Sequence, residues 1–177
     1  MESFRELIVM DSINHRANVL TPDQSKILTA LADRIFPRTE TPGAVEIGAV
    51  QYIEVALAGD YAAPVYRRGL CAIERCAKSK FRRAFCLLSE AQKDQVLVDF
   101  ETGAVPGFKL AGDFFEILRC HVLEGVFCEP QSGGNRDMIG WRLVNFPGQQ
   151  FGYADAYINK RVDLEPVSVN SPKPQGK

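Results

Sequence analysis

The sequence lacks the segments that would place a protein in or across a membrane. It contains no run of about eighteen consecutive apolar residues, the length that a spanning helix needs. Its first twenty residues hold one short apolar stretch, 7–10, without the basic start and small-residue cleavage site of a secretory signal. The paired arginines lie too deep in the chain for a twin-arginine leader. We therefore expect no membrane insertion and a cytoplasmic protein, and a periplasmic one only if a partner carries it or a leader is missing from this sequence.

An excess of charge of either sign is also lacking. The chain has 21 basic and 22 acidic residues and a formal net charge of −1. Its overall field therefore favours neither nucleic acid nor an anionic lipid surface as a partner. Two pairs of arginines, Arg67-Arg68 and Arg82-Arg83, could form a local basic patch, but we interpret them from the sequence as part of a solvated helix face.

Cofactor motifs are absent as well. The five cysteines are an odd number, and no two of them form a Cys-x-x-Cys pair. This spacing argues against a zinc ribbon, a thioredoxin-type site and a haem attachment site, and it predicts buried free thiols in a reducing compartment. The nucleotide patterns Gly-x-Gly-x-x-Gly and Gly-Lys-Ser/Thr do not occur either. We expect this chain itself to bind no cofactor.

Helical periodicity is what the sequence does contain. Two segments, 21–24 and 89–92, have a hydroxyl residue followed three positions later by glutamine, the pattern of a helix-capping box. Apolar residues recur at helical spacing after both, and no strand-like alternation of comparable strength occurs. The predicted helices cover residues 21–36, 44–57, 61–78, 89–100 and 111–127, followed by a short turn at 139–143 that Asp137 would cap.

The segment 111–127 has the widest apolar arc, so we expect it to be a central, nearly surrounded helix. The pattern as a whole predicts an all-α protein with a single helical domain of about five to six helices over residues 20–148. Residues 1–19 are expected to form a mobile N-terminal segment. Residues 149–177 are expected to form a non-helical C-terminal extension, an extended arm whose end is disordered.

One face of the long helix could carry chemistry. His121, Glu124 and Cys128 lie at positions i, i+3 and i+7, and a free-standing helical enzyme that uses a metal ion there is one alternative. One histidine and one cysteine cannot close a four-ligand site, however, and the only other histidine is His15. The Gly133-Gly134 loop could cradle an anion, but it follows a helix and lacks a nucleotide motif. We therefore predict no catalytic, cofactor-binding or metal-ligating residue in this chain.

Three blocks of sequence carry a resemblance to a known family. They are LTPDQ (20–24) with ALADRIFP (30–37), TPGA (41–44) with GAVQYI (48–53), and FF (114–115) with HVLEG (121–125), GGNRD (133–137), GW (140–141) and FPG (146–148). In order and spacing, from about residue 20 to residue 150, they resemble the gluconate 2-dehydrogenase subunit 3 family, the small (gamma) subunits of bacterial flavoprotein dehydrogenases.

The resemblance implies a non-catalytic small subunit that binds, stabilises and helps mature a large dehydrogenase subunit. That partner would be of the glucose–methanol–choline (GMC) type, would carry FAD and would oxidise a sugar, a polyol or a glycoside. In the family a cytochrome c subunit often accepts the electrons. A helical adaptor protein without a dehydrogenase partner is the other alternative.

Candidate residues for the partner interface come from the polar loop, the short turn and the aromatic residues of the extension. They are Asn135, Arg136, Asp137, Trp141, Phe151, Tyr153 and Tyr157. Trp141 could equally belong to the core. The three aromatic residues of the extension could lie on a partner or pack on the domain's own surface.

Overall fold

The computed structural model describes residues 19–59, 62–148 and 164–169. Within them lie seven α-helices and no β-strand, which confirms the predicted all-α class. The helices are α1 (Pro22–Ile35), α2 (Ala44–Ile47), α3 (Ala49–Leu57), α4 (Ala63–Phe81), α5 (Glu90–Glu101), α6 (Ala111–Phe127) and α7 (Ile139–Leu143). In this part of the chain no helix has the length and apolar character needed to cross a membrane.

Both predicted capping boxes are present. At the start of α1 the backbone amide of Gln24 donates to the Thr21 hydroxyl over 3.2 Å, and the amide of Thr21 donates to the Gln24 side chain over 3.0 Å. Ser89 and Gln92 make the same reciprocal pair before α5, at 3.3 and 3.1 Å. Each box satisfies two amide groups that a helix start otherwise leaves unpaired.

The helix predicted over residues 44–57 is two helices, so that prediction was wrong. Gly48 has a φ of 99°, in the left-handed region, and it ends α2 and begins α3. Glycine adopts this conformation without a Cβ penalty. The break directs α3 across α6, where Ala49 packs so closely on Gly125 that a Cβ built on this glycine would lie 2.7 Å from the Ala49 Cα.

Helix α6 is the centre of the core, as predicted. It contacts each of the other six described α-helices. Phe114, Leu118 and Val122 on this helix are fully buried. The Phe114 ring meets the rings of Tyr66 and Phe100 edge-on, with centroids 5.7 and 6.1 Å apart. The buried face does not extend around the whole helix, because Phe115, next to Phe114, is only partly buried.

The thiols differ from the prediction. All five cysteines are free, but Cys71 and Cys86 are exposed and the other three are half-buried. Their number and spacing say nothing about which face of a helix each one occupies, and this is why burial could not be derived from them. Burial raises the pKa of the Cys128 and Cys86 thiols.

Residues 164–169 pack on the domain itself. Val167 forms an isolated parallel bridge with Gly148, and its amide donates to the Pro147 carbonyl over 3.1 Å. Pro166 beside it is buried. For these six residues the structure therefore shows packing on the domain's own surface. Residues 1–18, 149–163 and 170–177, which hold most of the two predicted terminal segments, lie outside the described residues.

Candidate partner-binding surface at the carboxyl end of helix α6

The loop after α6 folds back against that helix, and two glycines allow the close contact. A Cβ built on Gly134 would lie 2.2 Å from the carbonyl oxygen of Gly125. A Cβ on Gly140 would lie 1.9 Å from the carbonyl oxygen of Val126. Real Cβ atoms cannot approach so closely, so these positions need glycine for space. Gly134 therefore has a packing role, and Gly133 has a φ of 95°, which favours glycine. Neither glycine needs a bound anion to explain it.

Asn135 holds the loop in place. Its side chain is fully buried. Its side-chain amide donates to the Cys128 carbonyl over 2.8 Å, and its side-chain oxygen accepts the Gly140 amide over 2.9 Å. Its own backbone amide donates to Gly125 over 2.8 Å. A buried polar group with all its partners satisfied fixes one local conformation.

These contacts bear on the roles expected for three residues. Asp137 does not cap α7: its backbone has a φ of 53°, and the oxygen that accepts an amide of that helix belongs to Asn135. Trp141 is only 6% exposed, and its indole N–H donates to the Phe127 carbonyl over 2.7 Å. Asn135 and Trp141 were candidate interface residues, with the core as the alternative for Trp141. The structure places both in the interior, where they support the loop.

The backbone of the loop is strained. Asn135, Asp137 and Met138 have φ values of 42°, 53° and 57°. Left-handed conformations of non-glycine residues cost of order 1 kcal/mol or more each and persist only when surrounding contacts impose them. Such strain clusters at binding and active sites. In this segment the side chains of Arg136 and Asp137 are exposed. Their place at a partner interface stays a prediction.

Beside this loop lies an exposed apolar patch that the sequence did not indicate. We define it as Leu143, Val144 and Phe146, which are 36%, 57% and 47% exposed. The short helix α7 buries Trp141, and the Phe146 ring meets the Trp141 ring edge-on at 5.2 Å. A five-residue helix can bury only one face. The shortness of α7 was therefore the one feature of the sequence that could have predicted exposed apolar residues next to it. Phe151, Tyr153 and Tyr157 lie outside the described residues.

The three residues considered as a metal site each have another partner. His121 Nδ1 and the Tyr66 hydroxyl are hydrogen-bonded at 2.9 Å. Glu124 accepts the hydroxyl of Tyr52 over 3.0 Å, and the Cys128 thiol donates to the Gly125 carbonyl over 3.8 Å. Among the described residues no group of three or more His, Cys, Asp and Glu could hold a metal ion. The geometry gives no support to a metal-dependent enzyme using this face.

The two tyrosines of this cluster are held in their protonated form. Burial raises the pKa of Tyr66 far above its ordinary value, with a smaller contribution from Glu124. Burial and the hydrogen bond to Glu124 raise the pKa of Tyr52 to about 12. Both hydroxyls therefore stay protonated near neutral pH and serve as hydrogen-bonding partners, Tyr66 in the core and Tyr52 at its partly buried edge.

We expect Gly140→Ala to destabilise the loop strongly. The new methyl group would collide with the Val126 carbonyl, and overpacking of this kind costs about 1–3 kcal/mol. Gly112→Ala is the control, because a Cβ there meets its nearest atom at 3.8 Å and the residue lies within α6. That change should be neutral or stabilise by up to about 1 kcal/mol. Pulse proteolysis in urea measures both, and equal losses would contradict the packing role of Gly140.

Comparison with known proteins places this arrangement in a family. The family model described as gluconate 2-dehydrogenase subunit 3 matches residues 22–148. This span runs from the first residue of α1 through the strained loop to the end of the apolar patch. No curated protein and no solved structure matches the chain. The family match covers well over half of the 177 residues. The chain therefore belongs to the gluconate 2-dehydrogenase subunit 3 family, the small subunits of dehydrogenase complexes.

Proposed function

We propose that this chain binds a large flavin-dependent dehydrogenase subunit of the GMC type, stabilises it and assists its maturation. The large subunit would carry FAD and would oxidise a sugar, a polyol or a glycoside. The small subunit would contribute no catalytic group. If the complex passes its electrons to a haem, a cytochrome c subunit would be a further component.

The observation that carries this proposal is the apolar patch beside the strained loop. Leu143 and Val144 are adjacent in the chain, and Phe146 follows within two residues, so one short segment holds three exposed apolar residues. Arg136 and Asp137 are presented on the neighbouring turn. An apolar centre next to charged residues is the composition of a protein interface. Patches of this kind on soluble proteins mark interaction sites.

The state of the polar side chains also supports a binding role. The histidine, carboxylate and thiol with the most suitable spacing for chemistry are hydrogen-bonded to three different groups of the same chain. The tyrosines beside two of them stay protonated because of burial. These contacts join helices α3 and α4 to α6, so the three side chains have a structural role.

Co-expression tests the proposal. The flavoprotein should be largely insoluble or inactive when produced alone, and it should form a yellow, active dehydrogenase when produced with this chain. The small subunit alone should have low solubility, because its apolar patch would be uncovered. A monodisperse, soluble small subunit that associates with no flavoprotein of its own organism would refute the proposal, as would a flavoprotein fully active without it.

Arg136→Ala within the co-expressed pair should lower the yield of complex several-fold. The reason is that truncation of an interface arginine leaves its partner groups unpaired, at a cost of about 1–3 kcal/mol. The KM of the complex that still forms should be unchanged. Arg119→Ala is the matched control, since Arg119 is exposed and its one ion pair among the described residues is with Glu116 on its own helix. Full assembly with abolished turnover would instead place Arg136 in the active site.

A further inference from the structure

The outer face of helix α4 carries a row of arginines that the proposed function does not use. Arg68 and Arg75 are exposed on this helix, and Arg82, also exposed, follows at its carboxyl end. Seven residues make almost two helical turns, so Arg68 and Arg75 lie in line, about 10 Å apart along the helix axis. Arg82, seven residues further on, is the C-cap, and its φ of 58° turns its side chain away from the direction that helical spacing would give it. We call Arg68, Arg75 and Arg82 the basic stripe. The fully buried Tyr66 and Ile73 occupy the opposite face of the helix.

The charge of the basic stripe is not neutralised by the described part of the chain. Some exposed basic residues pair with carboxylates, namely Lys26 with Asp23, Arg38 with Glu46 and Arg119 with Glu116. Others, such as Lys109 and Arg136, have no ion pair within the described residues. Within residues 19–59, 62–148 and 164–169, no ion pair involves a member of the basic stripe. Three like charges kept unpaired along one helix and at its end form a surface that attracts negative groups.

The rest of the molecule has the opposite sign. Residues 63–83 hold seven basic side chains and one acidic side chain, so the remainder of a chain of net charge −1 has a net charge of −7. A long polyanion such as nucleic acid, or an anionic bilayer, would extend past the basic stripe and meet this negative remainder. Within α4 no large apolar side chain is exposed, so lipid insertion has no anchor there.

We propose that the basic stripe binds an acidic face of a second protein, one other than the dehydrogenase subunit at the apolar patch. Arginine suits this partner because its planar guanidinium pairs with carboxylates through two parallel hydrogen bonds. With no apolar centre, the contact would form rapidly, dissociate readily and weaken as salt rises. The inference is separate from the proposed function. The basic stripe lies on the outer face of α4, whereas Tyr66 on the opposite face packs against His121 of α6.

Retention on immobilised poly-L-glutamate tests this surface, using the full chain or its complex with the flavoprotein. The variant Arg68→Gln/Arg75→Gln/Arg82→Gln should bind at least about tenfold more weakly than the wild type. The control Lys26→Gln/Arg38→Gln/Arg119→Gln removes the same charge from ion-paired positions, and it should stay within about twofold. Wild-type retention should fall steeply as ionic strength rises from about 20 mM to about 300 mM. If the triple variant misfolds, the single changes at Arg68 and Arg75 should each give a graded loss.

Three results would overturn the proposal. Equal losses in the two triple variants would show that only net charge matters. Tighter binding, at equal salt, to a DNA duplex or to phosphatidylglycerol vesicles than to poly-L-glutamate would assign the basic stripe to nucleic acid or to membrane. Absence of wild-type retention at low salt would show that the stripe is only a solvated helix face. None of these results depends on whether the flavoprotein assembles at the apolar patch.

Discussion

Val144→Asp is expected to prevent assembly with the flavoprotein while leaving the small subunit folded. Val144 is 57% exposed, so the change should alter the free energy of unfolding by only about 0.5 kcal/mol. In the complex, an aspartate at the centre of an apolar contact would be buried without a partner. That burial costs several kcal/mol, and every 1.4 kcal/mol lowers affinity about tenfold. Complex yield from a tagged small subunit, with flavin absorbance of the eluate, should fall by about 100-fold or more.

Val98→Asp provides a close control. Val98 is 52% exposed and lies on α5, so the chemical change and the initial exposure are nearly the same. We expect its complex yield to match the wild type. An equal loss for both variants would mean that added charge harms the chain in general. Normal assembly of Val144→Asp would remove the apolar patch from the interface and leave the flavoprotein to bind elsewhere.

Phe114→Ala should cost the small subunit a large part of its stability. The ring is fully buried, it packs edge-on against two other rings, and a Cβ built on Gly69 would lie 2.4 Å from it. Loss of a buried phenylalanine removes apolar burial and leaves a cavity, at a cost of about 3–5 kcal/mol. That approaches the total stability of about 5–15 kcal/mol for a domain of this kind. Pulse proteolysis in urea, read from the small-subunit band on a gel, measures the loss in the free chain or in the complex.

The next residue on the same helix is the control. Phe115 is only partly buried, so Phe115→Ala should cost about 1–2 kcal/mol. The difference between the two variants tests the orientation of α6 as well as its burial. A larger effect at Phe115 than at Phe114 would mean that the helix is rotated, with its buried face lying elsewhere.

The polar loop shows how far residue types alone could locate a binding surface. Asn135, Arg136, Asp137 and Trp141 were grouped because polar, arginine and tryptophan residues recur at interfaces. Only Arg136 and Asp137 are exposed. Asn135 and Trp141 turn inward because three unpaired backbone groups at the end of α6 and the start of α7 need partners there. Those needs arise only once the loop lies against α6.

What the sequence by itself determined is the helical content, the family and the central element. The capping boxes and the periodicity of 111–127 are local signals, and local hydrogen bonds and side-chain spacing produce the helices they predict. The break at Gly48 and the exposure of Cys71 and Val144 were decided only by the tertiary structure. So were the unpaired arginines of the basic stripe. Each of these features depends on which other residues pack against it in the folded protein. Those residues are far away in the sequence, so local patterns do not reveal them.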